Sequence, residues 1–343
     1  MSLFNVIASE DWSERGNPSK LWQRHLQSTS AVTIYYRKGT NLGILITIIV
    51  IIFVILLAIY LYWGNNNIMT TAYKYSSPKI PKEFDYFRIV QVSDLHNKKL
   101  KTLIDKISEC KPNIILITGD LIDRNCKALM PVVRIVRKML KIAPVYYVTG
   151  NHEADNGLYK KLKQELIEVG AVVLDGQKVH LGKGFSLVGL EDFDLNPHTY
   201  SALSKLSNPH DFQILLAHRP EPFETYAKAG MDLIFSGHAH GGQIRLPFIG
   251  GIYSPDQGFF PKLAYGEYIA NSHSNMTENQ KSKANLHTVY NKKILDNKNV
   301  NEIKDCKKDG STLIVSRGLG NTSRFPIRLF NRPELVLVEL NSE

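Results

Sequence analysis

From Leu42 to Trp63 the chain reads LGILITIIVIIFVILLAIYLYW, without one charged side chain. A backbone in lipid must satisfy its own hydrogen bonds, and a single segment does so only as a helix. The run is about the 20 residues that a helix needs to cross a bilayer. Tyr60, Tyr62 and Trp63 gather at its end, as an aromatic belt does. A cleaved leader would have a shorter apolar run nearer the N-terminus, and an uncharged run of this length argues against a buried core helix. Arg37 and Lys38 precede the run, while the first basic residue after it is Lys74, with Lys79 and Lys82 close behind. By the positive-inside rule the expectation is a single-pass protein of the cell membrane, with its C-terminal part extracytoplasmic.

This feature divides the chain into a polar tail (1–41), an anchor (42–63) and the remainder. Residues 64–85 are rich in Asn, Ser and Pro and read as a linker. Residues 86–343 alternate. Short β-branched runs recur at Phe87–Val92, Ile114–Thr118, Val145–Thr149, Phe185–Leu190, Ile214–Ala217, Leu233–Phe235, Leu313–Ser316 and Leu335–Leu340. Segments with helical spacing, such as Leu100–Cys110, Leu129–Ile142 and Leu158–Val169, separate several of them. Strand and helix in repetition predict an α/β domain with a largely buried sheet. Residues 267–310 break the pattern with an Asn- and Lys-rich stretch, expected as a surface insertion. The formal charge of +10 favours anionic partners and leaves open lipid headgroups, nucleic acid or a phosphorylated substrate. Cys110, Cys126 and Cys306 lack metal-type spacing and read as free thiols.

The polar residues fall where the strands end. Val92 is followed by Ser93-Asp94-Leu95-His96, Ile117 by Thr118-Gly119-Asp120, and Val148 by Thr149-Gly150-Asn151-His152-Glu153. Ala217 is followed by His218, and Phe235 by Ser236-Gly237-His238-Ala239-His240. Ligands of open α/β sheets bind at the carboxyl ends of the strands, so five strand ends would bring carboxylate, imidazole and carboxamide to one rim. Imidazole with carboxylate suits Zn, Mn, Fe or Ni, and no thiolate calls for a softer ion. Two such ions about 3.5–4 Å apart can clamp a phosphate and activate water. A carboxylate such as Asp120 can bridge them, and His152, next to Asn151, is placed to protonate a leaving alkoxide.

These blocks, D-x-H, GD, GNH-[ED], a lone His and GH-x-H, resemble the signature of the calcineurin-like metallophosphoesterases, in order and each after a strand. Ala217-His218-Arg219-Pro220-Glu221, the GHAHGGQ run, Ser316-Arg317-Gly318-Leu319-Gly320 and Arg328-Leu329-Phe330-Asn331-Arg332-Pro333-Glu334 are similar to the membrane-associated YkuE- and YaeI-like phosphodiesterase subgroup. The resemblance implies two facing mixed sheets flanked by helices, with two divalent metal ions (Mn, Fe or Zn) at the strand ends. It implies Asp94, His96 and His240 on the first metal, Asp120 as bridge, Asn151, His218 and His238 on the second, and His152 as the acid. The implied reaction is hydrolysis of a phosphodiester or pyrophosphate. Because one branch of the wider group cleaves a lipid-linked pyrophosphate, a lipid- or envelope-linked substrate is in its range.

Asp123 and Glu153 read as turn or supporting residues rather than ligands. Arg317, beside the glycines of SRGLG, is a candidate phosphate ligand, since arginine forks suit phosphate oxygens. Two other readings are weighed against a lipid phosphodiesterase. A nuclease or nucleotide phosphodiesterase would want a basic stripe interleaved with aromatics, which the sequence lacks, so no specific nucleic acid is expected. A catalytically inactive membrane scaffold would not need every ligand block together with His152.

Overall fold

The computed structural model describes residues 18–192, 198–270, 302–306, 310–321 and 326–342. The chain divides into two compact units, 1–60 and 61–343. Helix α1 (Pro18–Asn66) supplies the described part of the first unit, and its last turn, from Leu61, belongs to the second. Asn41–Asn66 is long and apolar enough to cross a membrane. The expected tail is therefore helical from Pro18 onward, and residues 1–17 lie outside the described residues. Proline is tolerated at the first helical position, and no further Gly or Pro interrupts the chain before Gly39.

The stretch expected as a linker is built into the domain. After α1 only Asn67 and Ile68 intervene before β1 (Met69–Ser77). Asn, Ser and Pro gather at the ends of this stretch, while its middle holds Thr70, Thr71, Ala72, Tyr73 and Tyr75, all buried. Then come β2 (Arg88–Val92), α2 (Leu103–Glu109), β3 (Ile114–Thr118), α3 (Met130–Met139), β4 (Val145–Val148), α4 (Asn151–Ala154), α5 (Tyr159–Glu168) and β5 (Val172–Val173). A second series runs β6 (Lys178–Gly182), β7 (Phe185–Leu190), α6 (Thr199–Leu206), β8 (Phe212–Ala217), α7 (Phe223–Lys228) and β9 (Leu233–Ser236). Two small hairpins follow, β10 (Arg245–Leu246) with β11 (Gly250–Gly251) and β12 (Tyr253–Ser254) with β13 (Gly258–Phe259). The chain closes with β14 (Gly266–Ala270), β15 (Glu302–Cys306), β16 (Ser311–Val315) and β17 (Glu334–Ser342).

One sheet has the order β15-β1-β17-β2-β3-β4-β5 and the other β14-β16-β9-β8-β7-β6. β2 to β5 run parallel, as do β16, β9, β8 and β7, while β17, β14 and β6 pair antiparallel with their neighbours β2, β16 and β7. Successive side chains on a strand point to opposite faces, and both faces are apolar here. Ile89, Leu116, Phe185, Ile214, Phe235 and Val338 fill the layer between the sheets. Val90, Ile115 and Ile117 turn outward onto Leu103, Val133 and Leu162 of α2, α3 and α5. Leu215, Ile234 and Leu313 meet Leu203, Phe223 and Tyr226 of α6 and α7. The result is the expected α/β sandwich of two mixed sheets between helices. The expected insertion contributes to both sheet edges, through β14 and through β15, which pairs with β1. Residues 271–301 and 307–309 lie outside the described residues.

Candidate metal centre

Parallel strands from both sheets end at one edge. β2 delivers Asp94 and His96, β3 Asp120, β4 Asn151 and His152, β8 His218, and β9 His238 and His240. Beneath them Gln91 Nε2 donates to Thr118 Oγ1 and to Ser236 O, both at 2.9 Å, tying the two sheets together under the site. Gly150 and Gly237 belong to the ligand blocks for a steric reason. A Cβ on Gly150 would collide with the Asp120 side chain, and one on Gly237 with Ser93 and Asp94.

The expected ligands converge in two groups that share Asp120. Donor atoms of Asp94, His96, Asp120 and His240 lie within 4.8 Å of one another, as do those of Asp120, His218 and His238. In the first group His96 Nε2 is 3.1 Å from His240 Nε2 and 3.6 Å from Asp120 Oδ2, and His240 Nε2 is 3.4 Å from Asp94 Oδ1. In the second, His218 Nε2 is 3.4 Å from the same Asp120 oxygen. Asn151 Oδ1 lies 3.0 Å from His218 Nε2 and 2.9 Å from His238 Nδ1. The backbone is left-handed at Asp94, His96, Asp120, His238 and His240, with φ between 48° and 65°. Non-glycine residues pay on the order of 1 kcal/mol for this region, a strain that clusters at functional sites.

The donor set fits divalent cations. Thr118 O only accepts, so at 2.8 Å it fixes the proton on His218 Nδ1 and leaves the neutral ring an Nε2 lone pair facing inward. Asp256 Oδ2 fixes the proton on His238 Nε2 at 3.0 Å in the same way, turning Nδ1 inward. His218 Nε2, His238 Nδ1 and the Asn151 carboxamide oxygen thus converge at 2.9–3.2 Å, a set that a proton on His218 Nε2 can serve in the metal-free protein and that a cation would serve in its place. Burial pushes His96 down to about 3 and His240 well below the usual imidazole range, so both rings are neutral and ready to ligate. Burial acts to raise Asp120, but His218, His96 and His152 around it hold it well below the usual carboxylate range. Burial raises Asp94, with His218 pulling against it.

His152 sits beside this centre, its Nε2 3.9 Å from Asp120 Oδ2 and its backbone N–H donating to Asp120 Oδ1 at 2.8 Å. Its Nδ1 is 3.3 Å from Asp123 Oδ2 and accepts from the Arg124 backbone N–H at 3.1 Å. Glu153 is fully buried and accepts backbone N–H groups from Asp120, Ile122 and Gly150, each at 2.8 Å. Glu153 thus braces the turns of the site, while donor atoms of Asp123, His96 and His152 lie within 4.8 Å of one another, close enough to hold an ion themselves. Arg317 packs against Tyr265 and Gly241 and faces Glu334 Oε1 at 3.8 Å.

Three supporting residues escape the sequence reading. Arg328 is buried with its Nη2 3.2 Å from His240 Nδ1 and its Nε donating to Gly320 O at 2.9 Å. Asn331 Nδ2 donates to His240 O at 2.7 Å. Asp256, besides orienting His238, pairs with Arg219, which also grips both oxygens of Asp192 at 2.7 and 2.9 Å. Arg328 and Asn331 lie in the segment that the family resemblance marks. Asp256 sits in a Gly- and Pro-rich loop without periodicity, and no sequence signal points to it.

Comparison with known proteins accords with this geometry. The calcineurin-like phosphoesterase family model matches residues 87–242. The metallophosphoesterase YkuE of Bacillus subtilis is 33% identical over 300 residues, covering 82% of this chain and 88% of that protein. The chain belongs to the calcineurin-like metallophosphoesterases. It is a metal-dependent phosphoester hydrolase, of a family that works with two divalent metals. Phosphodiesterase YaeI of Escherichia coli is 30% identical over 53% of this chain and 72% of its own length. A bovine transmembrane protein with a metallophosphoesterase domain is 25% identical over 55% of this chain and half of that protein.

One prediction follows from His218. Burial would lower its pKa, but Asp120, by charge and hydrogen bond, and then Asp94 outweigh it and push it up to about 10. In the metal-free protein the resulting stabilisation is complete below about pH 6.5, the ordinary value, and is lost as pH rises through about 10. A metal on Nε2 displaces this proton, so metal affinity rises with pH across the same window. Loading metal-free protein near neutral pH is expected to release about one proton from this ring. Calorimetric heats that do not vary with the buffer's ionisation enthalpy would contradict it.

Proposed function

We propose that the protein is a single-pass membrane-anchored phosphodiesterase whose centre would take two divalent cations. Asp94, His96 and His240 would hold the first, Asn151, His218 and His238 the second, and Asp120 would be shared between them; Mn, Fe or Zn suits these nitrogen and oxygen donors. The observation that carries the reading is one carboxylate oxygen, Asp120 Oδ2, at 3.6 Å from His96 and 3.4 Å from His218. When bound, such a pair supplies positive charge for the substrate phosphate and acidifies water. The P–O bond to the ester oxygen would break as water's oxygen bonds to phosphorus; His152, whose Nδ1 accepts from the Arg124 N–H, would give the departing oxygen its Nε2 proton and recover one from the water. A diester or pyrophosphate carried on a lipid or envelope component is the substrate class. It is supported by α1 running into β1 with only Asn67 and Ile68 between, which leaves the domain no spacer from the bilayer. Arg37 and Lys38 before the anchor support a catalytic domain outside the cytoplasm.

The test is the full chain in detergent, its metals counted and bis-(p-nitrophenyl) phosphate supplied. His152→Ala should keep its metals and lose turnover by on the order of 10²-fold; unchanged turnover would remove His152 from the acid role. Two metals per chain without hydrolysis of any diester or pyrophosphate would overturn the function itself.

A further inference from the structure

The loop that follows the ligand His240 carries apolar side chains that no core absorbs. Phe248 and Ile249 stand exposed at the tip of the β10–β11 hairpin; Phe259 and Phe260, on and after β13, are 73% and 61% exposed, and Ile327 is 49% exposed. Single exposed apolar residues are ordinary, but several within one hydrogen-bonded set of loops mark an interaction site. Hydrogen bonds join these residues into one body. Phe260 N donates to Ile252 O at 2.9 Å, Ile252 N to Ile244 O at 2.8 Å, Arg245 N to Leu329 O at 3.0 Å and Gln243 Nε2 to Ile327 O at 3.4 Å. Lys262, just beyond, is exposed, as basic residues beside membrane-inserting apolar groups are.

What covers this rim is indicated by where its strands are moored. Arg328, between Ile327 and Leu329, donates its N–H to Asn65 Oδ1 at 2.8 Å and accepts from Asn65 Nδ2 at 3.0 Å. Arg332 donates to Asn67 O and Oδ1 at 3.1 and 2.8 Å and lies over the Trp63 ring at 4.8 Å. The rim is thus bonded to the end of the apolar helix, at the aromatic residue that would sit in the headgroup layer. Asn67 and Ile68 can span at most about 7 Å, too little to lift the domain away. We propose that this rim inserts into the headgroup layer of the bilayer that α1 spans and admits lipid-borne phosphoesters to the metal centre. The proposal rests on the anchored phosphodiesterase reading and deepens it. The rim also reaches the chemistry: the β12–β13 turn that precedes Phe259 and Phe260 carries Asp256, which orients His238.

The test uses the full chain in phosphatidylcholine and phosphatidylglycerol vesicles, with a photo-cross-linking amino acid at position 248, 259 or, inside α1, 52. Lipid adducts at 248 and 259 are expected. The variant Phe248→Ser/Phe259→Ser/Phe260→Ser should hydrolyse soluble bis-(p-nitrophenyl) phosphate within about twofold of the parent. It should lose about tenfold or more on a p-nitrophenyl phosphodiester bearing a hexadecyl chain in the vesicles. Adducts at 52 with none at 248 and 259, or adducts there to a second copy or another protein, would overturn the rim and leave the anchor standing. Equal effects on both substrates would also overturn it. No adduct at 52 removes the anchor, and the rim with it. Lipid adducts at 248 and 259 without any diester hydrolysis would leave the rim and remove the phosphodiesterase reading.

Discussion

Asp120→Asn is expected to strip one or both metals from the centre and reduce diester hydrolysis by ~10³-fold or more. The substitution keeps the shape of a side chain that is 1% exposed and retains an oxygen for the His152 N–H. What it removes is charge. Among the described residues Asp94 would then be the one carboxylate left among the expected ligands, with Asp123 and Asp256 beside them, so the two dications would lose the anion between them in a buried site, where uncompensated charge is expensive. Its loss also ends the attraction that holds His218 protonated, so metal-free Asp120→Asn should show less proton release on any residual loading. Metal content measured by mass spectrometry should fall from two per chain to one or none while the far-ultraviolet spectrum is unchanged. Two retained metals with activity within about tenfold of the parent would mean that Asp120 does not bridge.

The residues that converge at the candidate centre were legible for a physical reason. A buried parallel strand must be apolar along its length, so the first polar residues after Val92, Ile117, Val148, Ala217 and Phe235 mark the edge where ligands bind. Five such edges in one chain restrict one another far more than any Asp or His alone. The layered fold followed from the same runs, and a helix apolar enough to cross a membrane from its lack of charge. The misreadings arose where composition stood in for pattern. The Asn, Ser and Pro of 64–85 hid β1, whose Thr70, Thr71, Tyr73 and Tyr75 are β-formers that pair with β17 across the sheet. The polar stretch from Glu267 on hid β14, which keeps Glu267 and Tyr268 buried at the sheet edge. Asp256, and the contact of Arg328 with His240, were beyond reach because each acts on a residue more than 15 positions away, through tertiary contacts that a local pattern does not encode.

Glu153→Ala should cost the fold more than any substitution of a ligand. The two carboxylate oxygens collect the N–H groups of Asp120, Ile122 and Gly150, and so lock the turn after β3 to the turn after β4. Removing it strands three buried donors at about 1–3 kcal/mol each, and partial relaxation brings the net loss to about 3–5 kcal/mol. A fall in melting temperature of about 10 °C or more follows for a domain of this size. Glu153→Gln keeps one acceptor oxygen and turns an amide donor toward the third N–H, so it should fall between. Burial pushes the Glu153 carboxyl up to about 8, Asp120's charge adding to it and the N–H groups of Ile122 and Gly150 opposing. A raised carboxyl stabilises fully below its ordinary 4.5, and that contribution drains as pH rises through about 8. In metal-free protein the gap between parent and Glu153→Ala should therefore narrow from about pH 5 to pH 8. With cations bound beside Asp120 the negative charge that opposes Glu153 ionisation is neutralised, and the gap should hold across that range. A gap that is small and flat in both forms would show that the three N–H groups find other partners and that Glu153 does not hold the two turns together.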